Sequence, residues 1–118
     1  MSAPPPVHHV ALRTGDIAGL AAFYRELLGL PLLRDLSPRS LWLSLGDGAV
    51  LMIESREAKE PTLPDGTMDL VAFGVDAERK STIRQLAIAR GCFDGETEYT
   101  VYLRDPDHRR VGVSTYQF

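Results

Sequence analysis

The sequence predicts an α+β fold in which two strand–helix–three-strand (βαβββ) modules share one domain, residues 7–118 of a 118-residue chain, and three observations carry that prediction. Apolar residues change between alternate and helical spacing along the chain. The order of those segments then starts again, with Val71 following Val10 by 61 positions. The length supports one core but not two independent domains.

The first six residues, with prolines at 4 to 6, cannot donate to a ladder and are expected as a disordered tail. From Val7 to Arg13 apolar residues alternate around His9, which predicts a strand, and Thr14-Gly15-Asp16 supplies turn and N-cap chemistry. Leu20, Phe23, Tyr24, Leu27 and Leu28 recur at helical spacing up to Gly29, with Pro31 beyond it. Strands are predicted at 31–34, 41–45 and 49–54, the last two joined by Gly46-Asp47-Gly48. Residues 55–66 are polar, contain two prolines and read as a linker between module one (7–54) and module two (67–118).

The second module opens on a strand from Leu70, echoing the His9 segment. A helical pattern through Ile83, Leu86, Ala87 and Ile88 ends at Gly91, as the first ends at Gly29. Cys92-Phe93, Tyr99–Leu103 and Arg110–Tyr116 supply three more strands, and Asp105-Pro106-Asp107-His108 the turn between the last two. A left-handed residue in that turn would fall on His108, which tolerates it better than most side chains.

Composition narrows the function. Hydrophobic residues are 44% and charged residues 25%, which excludes wholesale disorder, a coiled coil and a collagen-like chain. Thirteen Lys and Arg against sixteen Asp and Glu leave a net charge of -3, so neither nucleic acid nor an anionic membrane is an expected partner. No apolar run approaches the roughly 20 residues that span a bilayer, and the N-terminus lacks a signal-peptide pattern. Cys92 is the single cysteine, which excludes an internal disulfide and a multi-cysteine zinc site; a reducing, cytoplasmic location is the expectation.

Alternation sorts each strand into two faces. One apolar set, including Val10, Leu12, Leu41, Leu43, Leu51, Ile53, Val71, Phe73, Val101, Leu103, Val111 and Val113, is expected under the helices. The complementary set is expected to line a concave, curved, mostly antiparallel sheet with the helices outside. It offers His9, Trp42, Ser44, Met52, Glu54, Leu70, Tyr102, Arg110, Ser114 and Tyr116 as ligand-binding candidates, an apolar and aromatic surface with a few polar groups. Trp42, Tyr102 and Tyr116 suit stacking on a planar ligand, and equally suit a second apolar layer or a dimer interface. Arg110 reads either as the partner of an anionic ligand or as a member of a surface network with Arg109 and Asp107. His9 and Glu54 are the catalytic candidates, each with a purely structural alternative. Cys92 reads as a small core residue rather than a nucleophile.

The segments His9-Val10-Ala11-Leu12, Gly15-Asp16, Phe23-Tyr24-Arg25-Glu26-Leu27-Leu28-Gly29-Leu30, Leu41–Gly48 and Arg104-Asp105-Pro106-Asp107 resemble the vicinal oxygen chelate superfamily. That group includes glyoxalase I, bleomycin-resistance proteins, extradiol dioxygenases and fosfomycin-resistance enzymes. The resemblance implies paired βαβββ modules and a homodimer. In metal-using members it implies ligands on the first and fourth strands of each module. Those positions fall here on His9, on Met52 with Glu54 one pleat further, on Leu70 and on Gly112. Only His9 matches, and a thioether, an alkyl chain and a glycine do not hold hard divalent ions.

The preferred reading is therefore a protein of this type that binds a small organic molecule in its cleft without metal or other cofactor. The resemblance leaves two alternatives. One is a divalent-metal-dependent glyoxalase or extradiol dioxygenase-type enzyme using His9 and Glu54. The other is a non-catalytic assembly domain.

Overall fold

The computed structural model describes residues 3–118; Met1 and Ser2, part of the expected tail 1–6, lie outside the described residues. The chain forms two compact units, residues 1–60 and 61–118, which meet inside the segment read as a linker.

In the first unit β1 (His9–Thr14) leads into α1 (Ile17–Leu27), followed by β2 (Leu32–Leu36), β3 (Ser40–Gly46) and β4 (Ala49–Ser55). The Asp16 side chain caps α1 by accepting from the Gly19 N–H at 3.0 Å. A Cβ at 19 would push against the Asp16 carboxylate in this capping position, so glycine leaves the cap undisturbed. The helix stops at Gly29, whose φ of 68° is left-handed. Leu20, Ala21, Phe23, Tyr24 and Leu27 form its buried face, which packs on β3 and β4. The sheet order is β1-β4-β3-β2, with β1 parallel to β4 and the other pairs antiparallel. Asp47 and Gly48, at φ 51° and 83°, make the tight β3–β4 turn.

The second unit repeats the plan with β5 (Leu70–Gly74), α2 (Ala77–Arg90), β6 (Phe93–Glu96), β7 (Thr100–Arg104) and β8 (Arg110–Ser114), in the sheet order β5-β8-β7-β6. Asp76 caps α2 from Arg79 N at 2.8 Å, and Gly91 closes it at φ 72° with its N–H on the Ala87 and Ile88 carbonyls. The β7–β8 turn is built around Asp105. Its buried carboxylate accepts from the Asp107 and Arg109 N–H groups, both at 2.9 Å, and pairs with the Arg109 guanidinium, while His108 takes a φ of 69°.

The duplication extends to strand register. His9 pairs with Val50 and Leu70 with Arg110; Trp42 pairs with Met52 and Tyr102 with Gly112. The helix-facing positions Leu41, Leu43, Leu51 and Ile53 thus correspond to Val101, Leu103, Val111 and Val113, and all eight are buried.

Three details depart from the sequence expectation. Val71, expected under a helix, is 48% exposed, because β5 is an edge strand and α2 packs over β6 and β7. The strand β2 runs to Leu36 rather than 34 and is exposed throughout, again as an edge. β8 ends at Ser114, so Tyr116 lies beyond the ladder that was expected to carry it. Among the described residues no helix is long and apolar enough to cross a membrane.

Candidate functional site

Opposite its helix, the first sheet presents side chains in rows that follow the register. Ala11, Met52 and Trp42 form the central row. Trp42 is half-buried, donates its indole N–H to Ser40 Oγ at 2.8 Å, and has the Arg34 guanidinium 5.8 Å from its ring centre. This arrangement satisfies the polar edge of the indole and leaves its ring beside the Met52 thioether.

On one side of that row stand His9, Val50 and Ser44. His9 Nδ1 lies 2.9 Å from Nδ1 of His8, and the rings meet edge to face. His8 precedes the first residue of β1, so strand alternation does not place it on the opposite face. Ser44 Oγ accepts from the Gly46 N–H at 3.1 Å and so serves the β3–β4 turn.

On the other side stand Arg13, Glu54 and Ser40. Arg13 Nη1 is 3.5 Å from Glu54, and the same guanidinium holds Glu60 in a two-point contact. That contact, with the Glu57 N–H, lowers the Glu60 pKa from 4.5 to about 2, and Glu60 in turn, with Glu54, raises that of Arg13. Glu54 therefore faces a guanidinium rather than an apolar pocket.

The second sheet offers the equivalent rows Leu70–Arg110–Arg104, Ala72–Gly112–Tyr102 and Gly74–Ser114–Thr100. Thr100 and Ser114 hydroxyls hydrogen-bond at 2.8 Å. Arg110 lies with its guanidinium carbon 3.8 Å from the Tyr102 ring centre. Arg110 does not join the Arg109–Asp107 network that the sequence suggested: Arg109 takes Asp105 and Asp107, whereas Arg110 reaches Asp94 on β6 at 3.4 Å. Asp94 is shared with Arg104 at 2.9 Å. Tyr116, past the strand end, stacks edge to face on Tyr99, 5.2 Å away, and on Phe118 rather than on the Tyr102 face. Burial raises the Cys92 thiol, which suits a packing residue.

Sequence reasoning missed Arg13, Arg34, Arg104 and Asp94. For Arg104 a signal existed, since it stands two residues from Tyr102 and alternation puts both on one face. For Asp94 there was none, because β6 is short and irregular.

The donors present do not fit the metal site that the resemblance raises. Among the described residues no three His, Cys, Asp or Glu side chains converge. Glu54 lies opposite Arg13 and His9 opposite Val50. The two are thus four ladder positions apart, about 13 Å along the strands. At Gly112 there is no side chain to offer a donor, and a Cβ there would meet Leu70 Cδ1 at 3.1 Å and Ala72 Cβ and Thr100 Cγ2 at 3.3 Å, a tight fit.

A separate open cleft of about 540 Å³ lies between α1 and β2, lined by Ala18, Ala21, Ala22, Arg25, Leu32 and Asp35 among others; none of the sequence candidates reaches it.

A family model described as the Glyoxalase/Bleomycin resistance protein/Dioxygenase superfamily matches residues 7–112. A comparison with curated proteins finds no match. Among solved structures, a genomically encoded fosfomycin resistance protein, FosX, from Listeria monocytogenes aligns with a TM-score of 0.82 at 15% identity, covering 98% of this chain and 94% of that one. A possible glyoxalase from Bacillus cereus aligns at 0.77 and 20% identity, over 92% and 97%. A lactoylglutathione lyase from Agrobacterium tumefaciens aligns at 0.72 and 20% identity, over 96% and 95%. At these identities the likeness is one of fold.

Proposed function

Because the chain belongs to the glyoxalase/bleomycin resistance protein/dioxygenase superfamily, we propose that it binds a small organic molecule against the aromatic-bearing faces of its sheets, without a metal. Membership alone does not select an activity, since one fold hosts many chemistries. The observation that carries the reading is the matched register of Trp42 and Tyr102. Each is a half-buried ring at the centre of the face turned away from its helix. The indole N–H of Trp42 is already paired with Ser40, so the ring and the Met52 thioether offer contact surface without an unpaired indole donor to desolvate.

The donor geometry favours this reading over a metal-dependent lyase or dioxygenase. Those reactions need at least three protein ligands around one ion, and the separation of His9 from Glu54 and the lack of any donor side chain at Gly112 work against such a set. A fosfomycin resistance protein and a lactoylglutathione lyase are among the similar structures; for this chain the proposal is drug or small-molecule binding of the bleomycin-resistance type within the family. A homodimer in a reducing compartment belongs to the same reading, supported by family membership and by the single cysteine.

Trp42 is the only tryptophan, so tryptophan emission, excited at wavelengths tyrosine does not absorb, reports on this face alone. Titration with planar aromatic compounds is expected to give a saturable change in its emission. Trp42→Ala is expected to weaken the affinity for the same compound about tenfold or more by calorimetry, with an unchanged far-ultraviolet circular dichroism spectrum. Unaltered affinity in the variant would remove Trp42 from the site.

A further inference from the structure

The second sheet carries a positive charge that its own protein partners do not balance. Asp94, Arg104 and Arg110 stand together beside Tyr102, two guanidinium groups against one carboxylate. Arg104 is fully committed. Its Nε donates to Asp94, its Nη1 to the Thr67 and His108 carbonyls, and its Nη2 faces the Met68 sulfur. It cancels Asp94 and ties the segment before β5 to the β7–β8 turn.

Arg110 is placed differently. Its Nε makes the long 3.4 Å contact to Asp94, and its two terminal nitrogens have no hydrogen-bonding partner among the described residues. Its side chain is only 16% exposed, and its guanidinium carbon packs over the Tyr102 ring, 3.8 Å from the ring centre. The free edge formed by its two terminal nitrogens matches the geometry of a planar oxyanion. The neighbouring surface is apolar: Leu70 pairs with Arg110 in the ladder and is 40% exposed, and exposed Ala72 follows on the same face of β5.

We propose that Arg110, held by Tyr102 and Asp94, is an oxyanion subsite that selects small hydrophobic carboxylates, with the apolar body of the ligand on Leu70 and Ala72. The proposal rests on the small-molecule reading above and adds the charge of the ligand to it.

The test compares 2-naphthoate with the neutral, nearly isosteric 2-naphthamide by calorimetry on the full chain at low salt. Wild type is expected to bind the carboxylate about tenfold more tightly than the amide. Arg110→Gln is expected to bring the two to equal affinity. Equal affinities in the wild type overturn the subsite without recourse to any variant. A carboxylate preference that survives in Arg110→Gln places the anion elsewhere and also overturns it, while small-molecule binding itself stands. Failure of both compounds to bind at millimolar concentration removes the binding reading and this inference together.

Discussion

At Glu60 both carboxylate oxygens accept from the Arg13 guanidinium and one also accepts from the Glu57 N–H, which together hold the group at a pKa of about 2. The folded value lies below the ordinary 4.5, so between the two the unfolded chain binds more protons and stability rises with pH. The contribution is complete above the ordinary carboxylate range and is lost as pH falls toward 2. Glu60→Gln is expected to lower Tm at neutral pH, and the gap to wild type should close as pH falls from about 5 to about 2; a gap that stays constant would contradict the pairing. Asp105 acts on structure alone. Its side chain is fully buried and satisfies two backbone N–H groups and Arg109, so Asp105→Ala is expected to cost about 3 kcal/mol in denaturant unfolding. Asp105→Asn, which keeps one acceptor, should recover part of that. The Asp105–His108 turn was legible from residue type and spacing. The salt link from Arg13 to Glu60 was not, because 47 residues separate the partners and charge alone does not choose among thirteen cations and sixteen anions.

The helices show how periodicity identifies an element more surely than its depth. Ile83, Leu86, Ala87 and Ile88 all fit a helical stripe, yet Ile83 is 2% exposed and Ile88 50%. A stripe specifies which residues share a side; how far the sheet reaches under that side depends on strand order. Here α2 sits over β6 and β7. Ile83→Ala is therefore expected to cost about 3 kcal/mol and Ile88→Ala at most about 0.5 kcal/mol, compared by denaturant melts with a common m-value. Similar costs at the two positions would mean that α2 is covered on both flanks. The same logic explains Val71: alternation correctly assigned its face, while the edge position of β5 left it open. Tyr116 illustrates the opposite limit. Its parity matches the Tyr102 face, but parity has no meaning once the ladder ends at Ser114.

At the scale of the whole chain, the duplicated order and the shared register were readable because each module must bury one sheet face under one helix. That requirement repeats at Leu41, Leu43, Leu51 and Ile53 and again at Val101, Leu103, Val111 and Val113. The opposite faces carry less constraint, and there sequence supplied candidates without their partners. Trp42, Met52, Tyr102 and Arg110 take their register positions, but the Ser40 contact to the indole and the Asp94 contact to Arg110 depend on side-chain geometry that no local pattern encodes. The central claim is that these faces bind small molecules without a metal. Its most direct test is the Trp42 fluorescence titration with planar aromatic ligands, run on chelator-treated protein and repeated with zinc, nickel, manganese and iron(II) added. A saturable change of equal midpoint in every arm is the predicted result; a change that occurs only when a divalent ion is supplied would contradict it.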